Sequence, residues 1–342
     1  MIIEHPTQED LHQAASRLKE GYLLAFPTET VYGLGADADN ALAVNQIFEA
    51  KGRPKDHPLI VHIGDAQGVE HFAQDIPSFA KILIEHFWPG PLTLILNKRA
   101  DVANAASGGH SSIGLRMPAH PLALALLQNA KRLGIQGIAA PSANRFGRVS
   151  PTTALHVQEE FDASLMILDG GSCEIGIEST IVDCTRDRPI ILRPGQLSLE
   201  MIENALGEKV YTQLIDQEHA NSPSSLTLSP APKASGRLLA HYAPVAKVVL
   251  IELNDLLSQL TTYQPKSQEL IGVWSMKDLS HLSSPFLYKA MPSDVAQCAH
   301  ELFNGLRAFD KAGVAQIWIE RPPQTGDWLG VNDRLKRASS AH

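Results

Sequence analysis

Three cations fall within five residues at Lys51, Arg53 and Lys55, in the run Lys-Gly-Arg-Pro-Lys-Asp-His57-Pro-Leu59, whose prolines stop it continuing as a helix. Upstream, residues 26–35 read Phe-Pro-Thr-Glu-Thr-Val-Tyr-Gly-Leu-Gly. That segment leaves an apolar run through proline into hydroxyls, a carboxylate and two glycines. A polar, glycine-bearing exit from a strand, with cations on the next loop, can surround a small polyanion such as a nucleoside triphosphate. Arg116, Arg145, Arg148 and Arg193 extend the set of candidate phosphate contacts, since arginine offers a planar fork and lysine a compact charge. Lys55, Arg145 and Arg148 read equally well as a solvated face. Arg116, in Ile-Gly-Leu-Arg-Met-Pro, and Arg193, in Ile-Ile-Leu-Arg-Pro-Gly, sit in apolar strands, where a buried guanidinium needs an anionic partner.

Polar clusters recur at residues 28–35, 51–59, 107–116, 141–151, 170–180 and 193–195, each following or punctuating an expected strand. Any one of them reads as a turn, because Gly, Pro, Ser and Asn dominate turns. Six that repeatedly join hydroxyls to Arg or Lys point to loops converging on one cleft of an α/β sheet. His62, inside Leu-Ile-Val-His-Ile63, has the pattern of a hydrogen-bonded core histidine. His241 opens His-Tyr-Ala-Pro244 and either reaches back toward the first domain or starts the second. Cys173 reads as a small buried residue rather than a nucleophile. A P-loop, a nucleophile elbow and metal-site spacing are all lacking, so the constellation suits positional and electrostatic catalysis at phosphate.

The elements that must hold these residues alternate. Helices are predicted at 7–20, capped by Thr7, and at 41–51, 77–88 and 122–133. Strands are predicted at 22–27, 59–63, 92–96, 113–117, 138–140, 165–168, 177–184 and 190–193. Short links mixed with helical crossovers imply an α/β fold with a mixed sheet. Linker chemistry, rich in Ser and Pro, dominates 215–236. Beyond it, strands at 245–252, 270–275 and 316–319 alternate with helices at 256–263, 295–312 and 327–338, which predicts a small Rossmann-like domain without a dinucleotide fingerprint.

At 342 residues the chain has room for two such domains. A net charge of −8 opposes strong direct nucleic-acid binding and makes a local basic cluster fit a small anion better than a polymer. Three cysteines without metal or redox spacing, an N-terminus unlike a signal peptide and no membrane-length apolar run lead to the expectation of a cytoplasmic protein.

Eight motifs in order carry a family resemblance: Pro27-Thr-Glu-Thr-Val-Tyr-Gly-Leu-Gly35, Lys51-Gly-Arg-Pro-x-x-x-Pro-Leu59, Trp88-Pro-Gly-Pro-Leu-Thr93, Arg116-Met-Pro118, Ala140-Pro-Ser-Ala-Asn144, Ser150-Pro-Thr152, Glu178-Ser-Thr-Ile181 and Leu192-Arg-Pro-Gly195. Together they closely resemble the YrdC-like threonylcarbamoyl-AMP synthases, and the region from His241 resembles the C-terminal domain of their long, two-domain members. The resemblance implies a YrdC-like twisted mixed open sheet with flanking helices at 1–205, a linker at 206–240 and a smaller Rossmann-like domain at 241–342. It implies a nucleotidyltransferase joining L-threonine, bicarbonate or CO2, and ATP into threonylcarbamoyl-AMP and pyrophosphate. The product would pass to a tRNA threonylcarbamoyl transferase complex for modification of adenosine in ANN-decoding tRNAs.

By the same resemblance, Lys51 and Arg53 are the catalytic cations. Thr30, His62, Arg116, Ala140 and Ser179 would hold threonine, with Arg116 on its carboxylate. Arg53, His57, Ser112, Ser142, Asn144, Ser150, Arg193 and His241 would hold ATP. Mg2+ is implied on the phosphates, with no carboxylate marking itself as its protein ligand. Two residues depart from the family pattern: His57 stands where Asn is usual, and Phe146 where a small hydroxyl residue is usual. The competing readings are a carbamoyl-adenylate enzyme on the same fold, which would bring zinc-finger cysteines, and an RNA-binding module, which the acidity opposes.

Overall fold

The computed structural model describes residues 1–212, 232, 241–264 and 269–341. The chain divides into two compact units: one of residues 1–146, 151–174 and 178–237, the other of 147–150, 175–177 and 238–342.

The first unit is built on one eleven-stranded mixed sheet, ordered β1-β8-β2-β3-β7-β4-β6-β5-β9-β10-β11. In chain order these strands are β1 (Ile2–Ile3), β2 (Leu24–Phe26), β3 (Gly33–Asp37), β4 (Ile60–His62), β5 (Leu92–Asn97) and β6 (Ser112–Arg116). They continue with β7 (Ile138–Ala139), β8 (Met166–Leu168), β9 (Thr180–Asp183), β10 (Ile190–Arg193) and β11 (Tyr211–Thr212). The helices are α1 (Gln8–Lys19), α2 (Ala41–Lys51), α3 (Gly68–Phe72), α4 (Ser78–Phe87), α5 (Pro121–Arg132), α6 (Ala154–Gln158) and α7 (Leu199–Leu206). One sheet face carries α1 and α5, whose Leu11, Leu18, Leu126 and Leu127 bury Leu24, Phe26 and Ile138. The other carries α2 and α4, whose Val44, Ile47, Phe48 and Leu83 cover Val61, Leu94, Leu115 and Val182. Removing these side chains from water on both faces is what makes the central strands apolar throughout.

Helix ends follow local chemistry. Thr7 and Asp10 form a capping box on α1. Asn40 accepts from the Leu42 and Ala43 amides at the start of α2, and Gly52, at φ +64°, ends it in the left-handed conformation. That stop places Lys51 in the last turn of α2 and turns the chain sharply toward Arg53.

Three sequence expectations change. The glycines of 33–35 belong to a strand, not to a phosphate loop: β3 pairs antiparallel with β2, Gly35 opposite Leu24. A Cβ on Gly35 would stand 2.7 Å from Ile138 Cγ2 and 2.9 Å from Phe26 Cε1, so the glycine is required by strand packing. The β segment foreseen over 177–184 is confined to Thr180–Asp183. Residues 199–212 form α7 and then β11, which joins the sheet parallel to β10. The remainder of the expected 206–240 linker, apart from Pro232, lies outside the described residues.

In the second unit β12 (Lys247–Ile251), β13 (Ile271–Ser275), β14 (Phe286–Ala290) and β15 (Gln316–Glu320) form an all-parallel sheet ordered β12-β15-β13-β14. The crossovers include α8 (Leu253–Thr262) and α9 (Val295–Lys311), and α10 (Leu329–Ser339) closes the unit. Fully buried Trp274 packs against Gly305 of α9, where a Cβ would meet its ring at 2.9 Å. The edge strand β14 went unforeseen because its residues are mostly half-exposed and carry no period-two alternation.

Candidate active site

Lys51 is 3% exposed, although nothing in its sequence setting marks it as buried. Its Nζ donates to the Ser142 carbonyl at 2.6 Å and also to the Asn144 carbonyl. The Phe146 amide returns a bond to the Lys51 carbonyl at 2.9 Å, so the end of α2 and the 142–146 loop are tied at both ends. Burial, reinforced by the Arg53 charge, holds the Lys51 ammonium well below the usual lysine range. Arg53, 8% exposed, donates to the carbonyls of His57 (3.3 Å) and Pro58 (3.0 Å). Both cations are therefore preset on a rigid frame instead of ranging through solvent. Lys55 is exposed, and Arg145 is exposed with its backbone amide donating to Glu160 Oε2 at 3.0 Å.

The two departures from the family pattern meet. The His57 and Phe146 rings pack edge to face with centroids 5.6 Å apart, and the Arg53 guanidinium lies 5.7 Å from the Phe146 ring centre. Asn and a small hydroxyl residue would make neither contact. An aromatic pair of this kind is worth about 0.5–1.5 kcal/mol beyond its area. We therefore expect Phe146→Ser to raise the KM for ATP about threefold to tenfold. Adding His57→Asn should cost less than the product of the two single effects, a coupling measurable by a double-mutant cycle on pyrophosphate release.

A second cluster forms around Arg116. Strands β4 and β6 are parallel with His62 opposite Arg116, so both side chains leave the same face of the sheet side by side. Arg116 is 3% exposed; its Nη1 donates to Thr30 Oγ1 at 2.9 Å and its Nε to the Gly90 carbonyl at 3.3 Å. Thr30 is placed by a local turn in which the Thr28 hydroxyl donates to the Val31 carbonyl at 2.6 Å and accepts from the Thr30 and Val31 amides. Arg116 Nη2 lies 2.7 Å from Glu29 Oε1, close enough for an ion pair but out of line for a hydrogen bond. Glu29 is a functional candidate that the sequence reading passed over. The signal was present, because Arg116 in an apolar strand demanded an anion and Glu29 stands in the same motif as Thr30.

Ser179, fully buried, links this cluster to the next. Its hydroxyl is 2.8 Å from Thr93 Oγ1, and Arg193 donates to its carbonyl at 3.1 and 2.9 Å and to its hydroxyl at 3.2 Å. Gly195 permits that approach, since a Cβ there would fall 2.4 Å from the Thr180 amide nitrogen. Thr93, fully buried in the Trp88–Thr93 motif, is a site residue that the sequence alone does not single out. Ala140 is held by its amide on the Ile60 carbonyl at 2.9 Å, alongside β4. Ser112 lies at the opposite end of β6 from Arg116, on the same face and about 13 Å along the strand. Ser150 and His241 belong to the second unit, where both are buried; His241 packs edge-on to Tyr242 with ring centres 4.1 Å apart.

His62 is 4% exposed and edge-on to Phe26, and burial, then the Arg116 charge, push its pKa down to about 3. It is a neutral hydrogen-bonding group at working pH. Unfolded His62 takes up a proton near pH 6.5, whereas folded His62 does so only near 3. The stability it permits is whole above pH 6.5 and is lost as pH falls toward 3, at up to about 1.4 kcal/mol per unit. His62→Gln should flatten the fall of unfolding free energy between pH 7 and 4, read by urea titration at each pH.

An α/β nucleotidyltransferase, with buried cations beside a neutral histidine and hydroxyls, is the class that this fold and site define. The family described as Telomere recombination, which takes in Sua5, YciO and YrdC proteins, matches residues 16–195, and the threonylcarbamoyl-AMP synthase C-terminal domain matches residues 197–340. The threonylcarbamoyl-AMP synthase of Pyrococcus abyssi is 41% identical over 95% of this chain and 93% of its own length. That of Bacillus subtilis is 39% identical over 96% of this chain and 92% of its own. The crystal structure of P. abyssi Sua5 complexed with L-threonine superposes with a TM-score of 0.85 and 38% identity, covering 100% of this chain and 98% of that one. The chain belongs to the Sua5-type threonylcarbamoyl-AMP synthases, in their two-domain form.

Proposed function

We propose that the site joins L-threonine, CO2 or bicarbonate, and ATP, releasing pyrophosphate and threonylcarbamoyl-AMP. The observation that carries this assignment is the pairing of two preset clusters. Lys51 and Arg53 supply buried positive charge anchored on backbone carbonyls, and Arg116, Thr30, His62 and Ser179 offer a fork, hydroxyls and a neutral imidazole. The P. abyssi relative bound to L-threonine supports reading the second cluster as the amino-acid pocket. In-line transfer requires the carbamate oxygen of N-carboxylated threonine to reach the α-phosphorus while pyrophosphate departs opposite it. Lys51, Arg53 and Arg193 would balance charge on the phosphates, with Ser112, Ser142, Asn144 and His57 as further ATP contacts. Mg2+ would arrive on the triphosphate. Residues 1–205 would carry the reaction, and the product would pass to a tRNA-modifying transferase. Among the described residues no helix is long and apolar enough to cross a membrane.

The test is pyrophosphate release from ATP and bicarbonate with L-threonine, with L-serine, and with no amino acid. Release that depends on L-threonine is expected; equal release in all three would overturn the assignment.

A further inference from the structure

Glu29 is a carboxylate taken almost wholly out of water, 5% exposed, and neither of its oxygens has a hydrogen-bond partner among the described residues. Its one compensation is the Arg116 guanidinium, 2.7 Å from Oε1 but misaligned. Carboxylates in such surroundings are normally satisfied by donors, because a buried ion pair recovers its desolvation only with good geometry and further hydrogen bonds. The pair is thus incomplete on both sides. Among the described residues, Arg116 commits Nε to Gly90 and one Nη1 proton to Thr30, which leaves donors on Nη1 and Nη2. Glu29 keeps acceptor sites on both oxygens.

A buried cation beside a buried anion, each with unused capacity, is complementary to a zwitterion. An α-amino acid carries an ammonium and a carboxylate on one carbon, so its carboxylate can take the remaining Arg116 donors while its ammonium takes the Glu29 acceptors. Four alternating charges then replace two, and the net charge of the buried cluster stays at zero. We propose that Glu29 receives the α-ammonium of L-threonine, so that the Glu29–Arg116 pair, not Arg116 alone, reads the amino-acid head group. The proposal rests on the reading of this cluster as the threonine pocket. It explains why a carboxylate stands against the residue assigned to a substrate carboxylate, where it would otherwise only compete. His62, Thr30 and Ser179 are left for the side-chain hydroxyl, because none of them is charged at neutral pH.

The experiment is calorimetric titration of the full chain with L-threonine and with 3-hydroxybutyrate, which keeps the carboxylate, hydroxyl and methyl but lacks the amine. Glu29→Gln should raise the Kd for L-threonine at least about tenfold, the loss expected for one charge-assisted contact. It should leave 3-hydroxybutyrate unchanged or bound more tightly, since Arg116 no longer shares its charge with Glu29. A purely structural counter-ion would weaken both ligands alike, and that result, or unchanged threonine binding, overturns the proposal. Should Glu29→Gln fail to fold, Glu29→Asp keeps the charge that neutralises Arg116 and withdraws the carboxylate by one methylene. The same selective loss of L-threonine is then expected, and equal affinity for both ligands relative to the unmodified protein overturns the proposal. Binding is read without turnover, so failure of the threonine-dependent pyrophosphate assay would sink the assigned activity while leaving this comparison intact.

Discussion

Lys51→Met should reduce threonine-dependent pyrophosphate release by about a hundredfold to a thousandfold, the usual loss when one preset donor to a developing anion is removed. Methionine keeps the buried stem and deletes only the charge and its donors. Two carbonyls, of Ser142 and Asn144, lose their lysine partner, so a stability loss of about 1–3 kcal/mol should accompany the kinetic one. The two effects separate by measuring KM and kcat on protein that is fully folded at the assay temperature. A further readout is specific to the ammonium. Burial and the Arg53 charge lower its proton affinity in the free protein, and an arriving triphosphate raises it again. At alkaline pH, nucleotide binding should therefore take up protons, seen as a buffer-dependent binding enthalpy. Lys51→Met should abolish that uptake. Unaltered uptake would mean that Lys51 serves only to hold the 142–146 loop.

Why Lys51 could be named from sequence while its surroundings could not is a matter of which forces act locally. The Asn40 cap, the apolar positions of α2 and Gly52 all lie within a dozen residues, so the helix and its last turn are written in adjacent chemistry. The carbonyls that anchor the ammonium come from Ser142 and Asn144, more than ninety positions away, and their capture depends on sheet order. The same contrast divides the Arg116 cluster. Arg116 announced itself as a charge in an apolar strand, but its alignment with His62 follows from the parallel register of β4 and β6. The glycines of 33–35 misled for a related reason: flexibility and close packing ask for the same residue, and only the Ile138 and Phe26 side chains distinguish the two. His57 and Phe146 were each legible as oddities, and their contact, across two loops, was not. The second unit's parallel sheet followed from alternation alone, except at β14, where a half-exposed edge strand puts only Phe286 and Tyr288 against the core.

Arg116→Ala is expected to abolish measurable synthesis and to cost about 3–5 kcal/mol of stability, because it leaves Glu29 buried without a counter-charge. The two losses have different causes, and a second substitution separates them. In Arg116→Ala with Glu29→Gln the unpaired charge is gone, so unfolding free energy should recover most of the deficit while L-threonine binding stays lost. Arg116→Lys probes the fork instead of the charge. Lysine keeps Glu29 neutralised but cannot span the Thr30 hydroxyl and the Gly90 carbonyl as a planar guanidinium does. It should fold with near-normal stability and still bind L-threonine at least tenfold more weakly, a loss of about 1.4 kcal/mol or more. If Arg116→Lys bound L-threonine normally, the charge alone would suffice and the fork would have no part in selection. If the double variant remained as unstable as Arg116→Ala, the destabilisation would come from lost packing of the arginine stem against β4 and the 28–31 turn, not from the stranded carboxylate.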